Sequence, residues 1–225
     1  PAHAQRLLKV AAAVGNRVHV DTLALLSGHT ETETRRLLWD ALREGLIIAQ
    51  EDLHYAFLHD RVQQAAYSLL DAEARPALHL QIARMLAARH EDPTQADELF
   101  EILEQFALGR ALVTDLVERR TIGVWSLYAA ERALRSTAYA DARRLARDAR
   151  VLIGPIDWHT DYELSRKLYR TLAEAEFLTG ELAASEALIT AALAEVHTPV
   201  EKAEFYNLLI VGQTIRGDYA GAVSS

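Results

Sequence analysis

The chain has 225 residues, half of them apolar, and carries 24 Lys+Arg against 32 Asp+Glu for a formal net charge of -8. That length can bury a sizeable core in one or two domains, while the negative balance argues against a broad nucleic-acid footprint and against an anionic membrane surface. The absence of cysteine excludes a disulfide framework and thiolate chemistry and suits a reducing cytoplasm.

The first helix is marked by Leu7, Val10, Ala11 and Val14 and closed by Gly15-Asn16; this apolar run is interrupted by Lys9 and is too short to span a bilayer. A short helix from Asp21 to Leu26 stops at Gly28. Thr30-Glu31-Thr32-Glu33 is a capping-box pattern, and Leu37, Leu38, Ala41 and Leu42 form the buried stripe of a third helix ending at Gly45. Leu46 to Ala49 and His54 to Leu58 flank the polar turn Gln50-Glu51-Asp52, which predicts a two-stranded hairpin. Three helices followed by a hairpin is the winged-helix order, over residues 1–70.

Beyond Leu70 the pattern is helical. Arg75-Pro76 opens a helix to about Arg89, Asp92-Pro93-Thr94 breaks before another from Ala96 to Leu108, and a longer one covers Asp115 to Arg135. These helices form a connecting region over 71–135. From residue 136 an internal repeat of helical hairpins emerges, superposing Tyr139-Ala140-Asp141-Ala142, Gly180-Glu181-Leu182 and Gly217-Asp218-Tyr219-Ala220-Gly221-Ala222 in order. The array resembles tetratricopeptide repeats, with Thr137 where the turn Gly belongs and Ser185 where a small Ala belongs. The fold class expected is therefore mainly α, a winged-helix-like domain with one β-hairpin followed by a TPR-like array at 136–225. The start at Pro1 without Met and the stop inside a helical pattern at Ser225 read as a piece of a longer polypeptide.

One polar triplet stands out. His59-Asp60-Arg61 interrupts the apolar strand Tyr55-Ala56-Phe57-Leu58 where a helix with Val62, Ala65, Ala66 and Leu69 on one face must begin. Unpaired N–H groups and the positive end of the dipole make a helix start a ready anion site. The plainer reading is a His-Asp N-cap with a packed imidazole.

Phe57-Leu58-His59-Asp60-Arg61 after such a hairpin resembles the Met-His-Asp type motif of STAND-class signalling ATPases, in which a winged-helix domain folds back on the nucleotide-binding domain. The run through Gln63-Gln64-Ala65-Ala66-Tyr67, with Leu78-His79-Leu80-Gln81-Ile82 and Leu99-Phe100-Glu101-Ile102, is similar to a narrower group. These are large bacterial sensor proteins joining a Ser/Thr kinase-like domain, an AAA-type ATPase, helical repeats and often a histidine kinase. The resemblance implies that His59 senses nucleotide by reaching the phosphates of ADP, that Asp60 orients His59 or caps the helix, and that ATP or ADP with Mg belongs to the parent rather than to this chain. The implied partners are an upstream nucleotide-binding domain, other domains of the same polypeptide and an unidentified protein, in the cytoplasm and away from membranes.

No phosphate-cradling Gly-Lys-Ser/Thr loop, nucleophile elbow or kinase signature occurs, so the chain lacks an enzyme's parts. His54 and His59 lack a third metal ligand at recognisable spacing, and no metal site is expected. Arg35, Arg36 and Arg43 on the third helix are candidates for nucleic-acid contact, yet Glu31, Glu33, Asp40 and Glu44 share that helix, as on a solvated face. Trp39, Trp125 and Trp158 read as core or helix-packing residues. Tyr162, Tyr169 and Tyr206 are candidates for a concave partner surface, with packing between hairpins as their plainer role. The alternatives to a regulatory segment are a DNA-binding winged-helix regulator and a plain helical scaffold.

Overall fold

The computed structural model describes residues 2–216, with side chains described for residues 3–211. These residues are mainly α-helical, with eleven α-helices and one small sheet, in two compact units that divide between Thr114 and Asp115. The helices read as a connector over 71–135 are thus shared between the two units. The third expected repeat copy, Gly217 to Ala222, lies outside the described residues.

In the first unit α1 (Ala2–Val14) buries Leu7, Leu8, Ala11 and Val14. Strand β1 (Arg17–His19) follows, then α2 (Val20–Ser27), ended by Gly28 in the left-handed conformation that a residue without Cβ adopts freely. Helix α3 (Glu31–Arg43) opens on a reciprocal capping box: the Glu33 amide donates to Thr30 Oγ1 at 3.2 Å, and the Thr30 amide to Glu33 Oε2 at 3.1 Å. Strands β2 (Ile47–Ala49) and β3 (His54–Phe57) form the expected hairpin. The sheet, however, has three strands in the order β1-β3-β2, with β1 antiparallel to β3 and Val18 opposite Tyr55. The expected hairpin is thus present, with β1 added along its β3 edge. Three residues are too few to display strand alternation, and β1 is held by pairing with a partner almost forty positions away.

Helices α4 (Asp60–Ser68), α5 (Arg75–Ala87) and α6 (Leu99–Gly109) complete this unit, with Pro76 in the first turn of α5. Ile82, Leu99 and Ile102 are fully buried.

The second unit is an array of antiparallel neighbours: α7 (Leu116–Arg135), α8 (Tyr139–Ile153), α9 (Tyr162–Leu178), α10 (Leu182–Leu193) and α11 (Pro199–Arg216). Each packs on the next, and α9 also packs on α7 and α11. Leu127, Ala149, Ile153 and Leu168 form a buried cluster, with Ile156 and Leu164 against it. Ser185, at the position expected to hold Ala, is buried because its hydroxyl donates to the Ala173 carbonyl at 2.8 Å. Glu176, only 3 % exposed, is held by Arg147 through two hydrogen bonds of 2.6 and 2.9 Å, with Arg143 Nε 3.0 Å away. A bidentate guanidinium offsets the cost of burying that carboxylate.

Candidate functional site at the β3–α4 junction

Strand β3 carries Tyr55, Ala56 and Phe57 into the core, and its end is fixed by backbone bonds from the Phe57 amide to the Asn16 carbonyl at 3.0 Å and from the Leu58 amide to the Leu46 carbonyl at 3.2 Å. The chain then turns outward. Leu58, His59, Asp60 and Arg61 are all exposed, and His59 is the N-cap of α4 with extended dihedrals of -142° and 140°. Its carbonyl accepts from the Val62 amide at 2.9 Å, but its imidazole makes no capping hydrogen bond. His59 is therefore exposed at the start of α4 with no capping bond from its side chain, while its carbonyl takes the Val62 and Gln63 amides.

Asp60 occupies the first helical position, where a carboxylate complements the helix dipole. Among the described residues no hydrogen bond or ion pair links it to His59. His54 lies at the far end of β3, where its ring meets that of its cross-strand neighbour His19 edge-on, with centroids 4.9 Å apart. His19 Nδ1 also contacts the Asp21 carboxylate, to which Arg89 donates at 3.2 Å. Burial works to raise the Asp21 carboxyl, but the hydrogen bond to His19 and the charge of Arg89 outweigh it and hold it below its ordinary value. No group of three or more potential metal ligands occurs among the described residues.

What anchors the junction from behind is a buried polar chain that periodicity does not announce. Gln105 of α6 donates through Nε2 to the carbonyls of Ala13 and Val14, both at 3.1 Å, so it caps the C-terminus of α1. Its Oε1 is 2.7 Å from His79 Nδ1, and His79 Nε2 is 2.9 Å from the Tyr67 hydroxyl of α4. Because the amide nitrogen is committed to carbonyls, the amide oxygen must accept. His79 Nδ1 is then the donor, and Tyr67 donates to Nε2. His79 is 2 % and Gln105 6 % exposed. Gln63 of α4 adds a 3.4 Å bond to the Ala12 carbonyl, and Arg75 donates to the carbonyls of Ser68 at the end of α4 and Leu70 just past it. The signal in the sequence is a His and a Gln placed on otherwise apolar helix stripes, His79 three before Ile82 and Gln105 three after Ile102.

Arg35, Arg36 and Arg43 are exposed on α3, and Arg43 lies 3.8 Å from Asp40 and 3.6 Å from Glu44. Trp39, read as a packing residue, is 65 % exposed. The helix buries Thr34, Leu38 and Ala41, and position 39 falls on the opposite side.

In the second unit Tyr162 and Tyr169 both pack against Trp158, with ring centroids 6.0 and 5.2 Å away. The Tyr162 hydroxyl donates to Glu201 at 2.8 Å and accepts from the His197 amide at 3.1 Å, and its ring stacks on His197. It thereby ties α9 to the start of α11. Tyr169 lines a cleft of about 540 Å³ with Arg150, Leu172 and Leu188, and Tyr206 is half-buried on α11.

No protein-family profile and no solved structure matches the chain. It is similar to hybrid signal transduction histidine kinase G of Dictyostelium discoideum, 22 % identical over 251 aligned residues. The alignment covers 84 % of this chain but 7 % of that protein, so the chain corresponds to a small part of the relative's length. Among the described residues no helix is long and apolar enough to cross a membrane.

Proposed function

We propose that the chain is a non-catalytic regulatory segment of a larger signal-transduction protein, one that couples the nucleotide state of a neighbouring ATPase domain to partner binding by helical repeats. The observation that carries this reading is the His59 imidazole, exposed at the start of α4 and free of any capping bond. The order α1-β1-α2-α3-β2-β3, with β1 and β2 flanking β3, supports a winged-helix assignment, and the helical hairpins after Asp115 support a TPR-like one. Similarity to a signal-transduction histidine kinase supports the signalling context.

In this reading the nucleotide is held by a domain outside the chain, which has no phosphate loop of its own, and His59 supplies one contact to its phosphates. A charge-assisted hydrogen bond of that kind contributes about 1.5 to 3 kcal/mol. That shifts a closed-to-open equilibrium roughly ten- to a hundredfold, enough for a switch. Asp60 supports the helix start rather than the imidazole. The rigid seat of α4, through Gln63 and Tyr67, couples any pull on His59 to the rest of the unit.

The test is His59→Ala in the longest expressible parent. ADP dissociates at least about tenfold faster and basal ATPase rises in the variant if the reading holds. Unchanged ADP retention and unchanged basal turnover would leave a plain scaffold as the better description.

A further inference from the structure

We propose that the solvent face of α3 is a docking surface for an acidic polypeptide segment of a partner protein. At about 100° per residue, Arg35, Trp39, Arg43 and Arg36 fall within one stripe of roughly 100°, opposite the core-facing Thr34, Leu38 and Ala41. Glu33, Asp40 and Glu44 fall in a stripe along one side of it, and Glu31, one turn before Arg35, borders it on the other. Charges that alternate in the linear sequence are thus sorted around the helix, and the stripe between the acidic edges is basic and aromatic.

Trp39 is 65 % exposed, and Arg35 and Arg36 are exposed with no ion pair within 4.0 Å among the described residues. An indole left in water, with guanidiniums three and four positions away, is the residue combination that dominates binding energy at protein interfaces. Charge complementarity makes the occupant anionic. A phosphate backbone requires a broad basic track, whereas here the Glu33-Asp40-Glu44 stripe runs alongside and residues 1–70 as a whole are nearly neutral. A polypeptide that sets discrete carboxylates against Arg35 and Arg36 and an apolar side chain on Trp39 satisfies the basic stripe without placing continuous negative charge over its acidic neighbour. The proposal does not rest on the His59 reading, and nucleotide plays no part in it.

The experiment selects a displayed random dodecapeptide library against the 225-residue chain, then measures the winners by fluorescence anisotropy. Enriched peptides combine Asp or Glu with an aromatic or aliphatic residue. Their Kd weakens at least about tenfold in Trp39→Ala and in the double variant Arg35→Glu/Arg36→Glu, and weakens with added salt, while the melting temperature stays unchanged. The proposal fails if no peptide is enriched, if the winners lack acidic residues, or if both variants bind them as the parent chain does. It also fails if a random-sequence duplex DNA binds more tightly than the peptides and loses that binding in the same variants.

Discussion

Thr137 and Gly180 hold the same backbone position in successive helical hairpins, both in the left-handed region with φ of +62° and +85°. The hydrogen bonds around them match: Ala138 to Ala133 and Thr137 to Leu134 after α7, Glu181 to Glu176 and Gly180 to Phe177 after α9. Each pair closes a Schellman turn that satisfies the last carbonyls of its helix. The internal repeat is therefore a repeat of turn geometry, kept at the first copy by a β-branched residue that disfavours it.

Replacing Thr137 with Gly should stabilise the protein. A non-glycine residue in this region costs about 1 to 2 kcal/mol, and glycine's greater freedom in the unfolded chain returns part of the gain. A rise of about 1 kcal/mol in unfolding free energy is expected, read from urea midpoints. A loss of stability would mean that the Thr137 side chain makes contacts worth more than the strain.

Gly123→Ala should act in the opposite direction. A Cβ built there lies 2.7 Å from Ile153 Cγ1 and 2.9 Å from the Ile153 backbone nitrogen, so α7 and α8 would have to separate. Alanine gains about 1 kcal/mol of helix propensity. Overpacking against backbone costs about 1 to 3 kcal/mol and should prevail, lowering the urea midpoint.

Gln105→Leu is expected to destabilise the first unit by about 2 kcal/mol or more. It leaves the His79 Nδ1–H and the Ala13 and Val14 carbonyls buried without partners. Tyr67→Phe removes a single donor and should cost about 1 kcal/mol. In a double-mutant cycle the two changes should be non-additive, because both act through His79. Additive effects would show that the three side chains do not form one network.

Stability should depend on Glu201 at acid pH. The Thr198 amide, the Tyr162 hydroxyl and the Thr198 hydroxyl hold its carboxyl down from 4.5 to about 2, with the Arg166 charge adding to them. A depressed folded-state value means that the stabilisation is present above pH 4.5 and is lost as pH falls from there toward 2. The difference in melting temperature between the parent chain and Glu201→Gln should accordingly be largest near neutrality and close as pH approaches 2. A difference independent of pH would place the effect elsewhere than in the ionised carboxylate.

Elements specified by neighbours three or four positions apart were legible from the residues themselves. The Thr30–Glu33 capping box, the stop at Gly28 and the helix start at Asp60 depend on contacts within one turn, and so does the mainly helical fold class, while the hairpin from Ile47 to Phe57 depends on pairs no more than ten positions apart across a polar turn. The exposure of Trp39 was misread because an aromatic on an amphipathic helix invites burial, and its place is set by which face the sheet and α1 cover. Tertiary packing alone decided the rest. Strand β1 exists only by pairing with β3. The chain Tyr67-His79-Gln105-Ala13 joins residues 12, 26 and 92 positions apart, and buried polar groups at such separations are satisfied only once α1, α4, α5 and α6 have come together. Local sequence thus placed His59 at the start of a helix, while only the folded unit left its imidazole exposed and its helix anchored from behind.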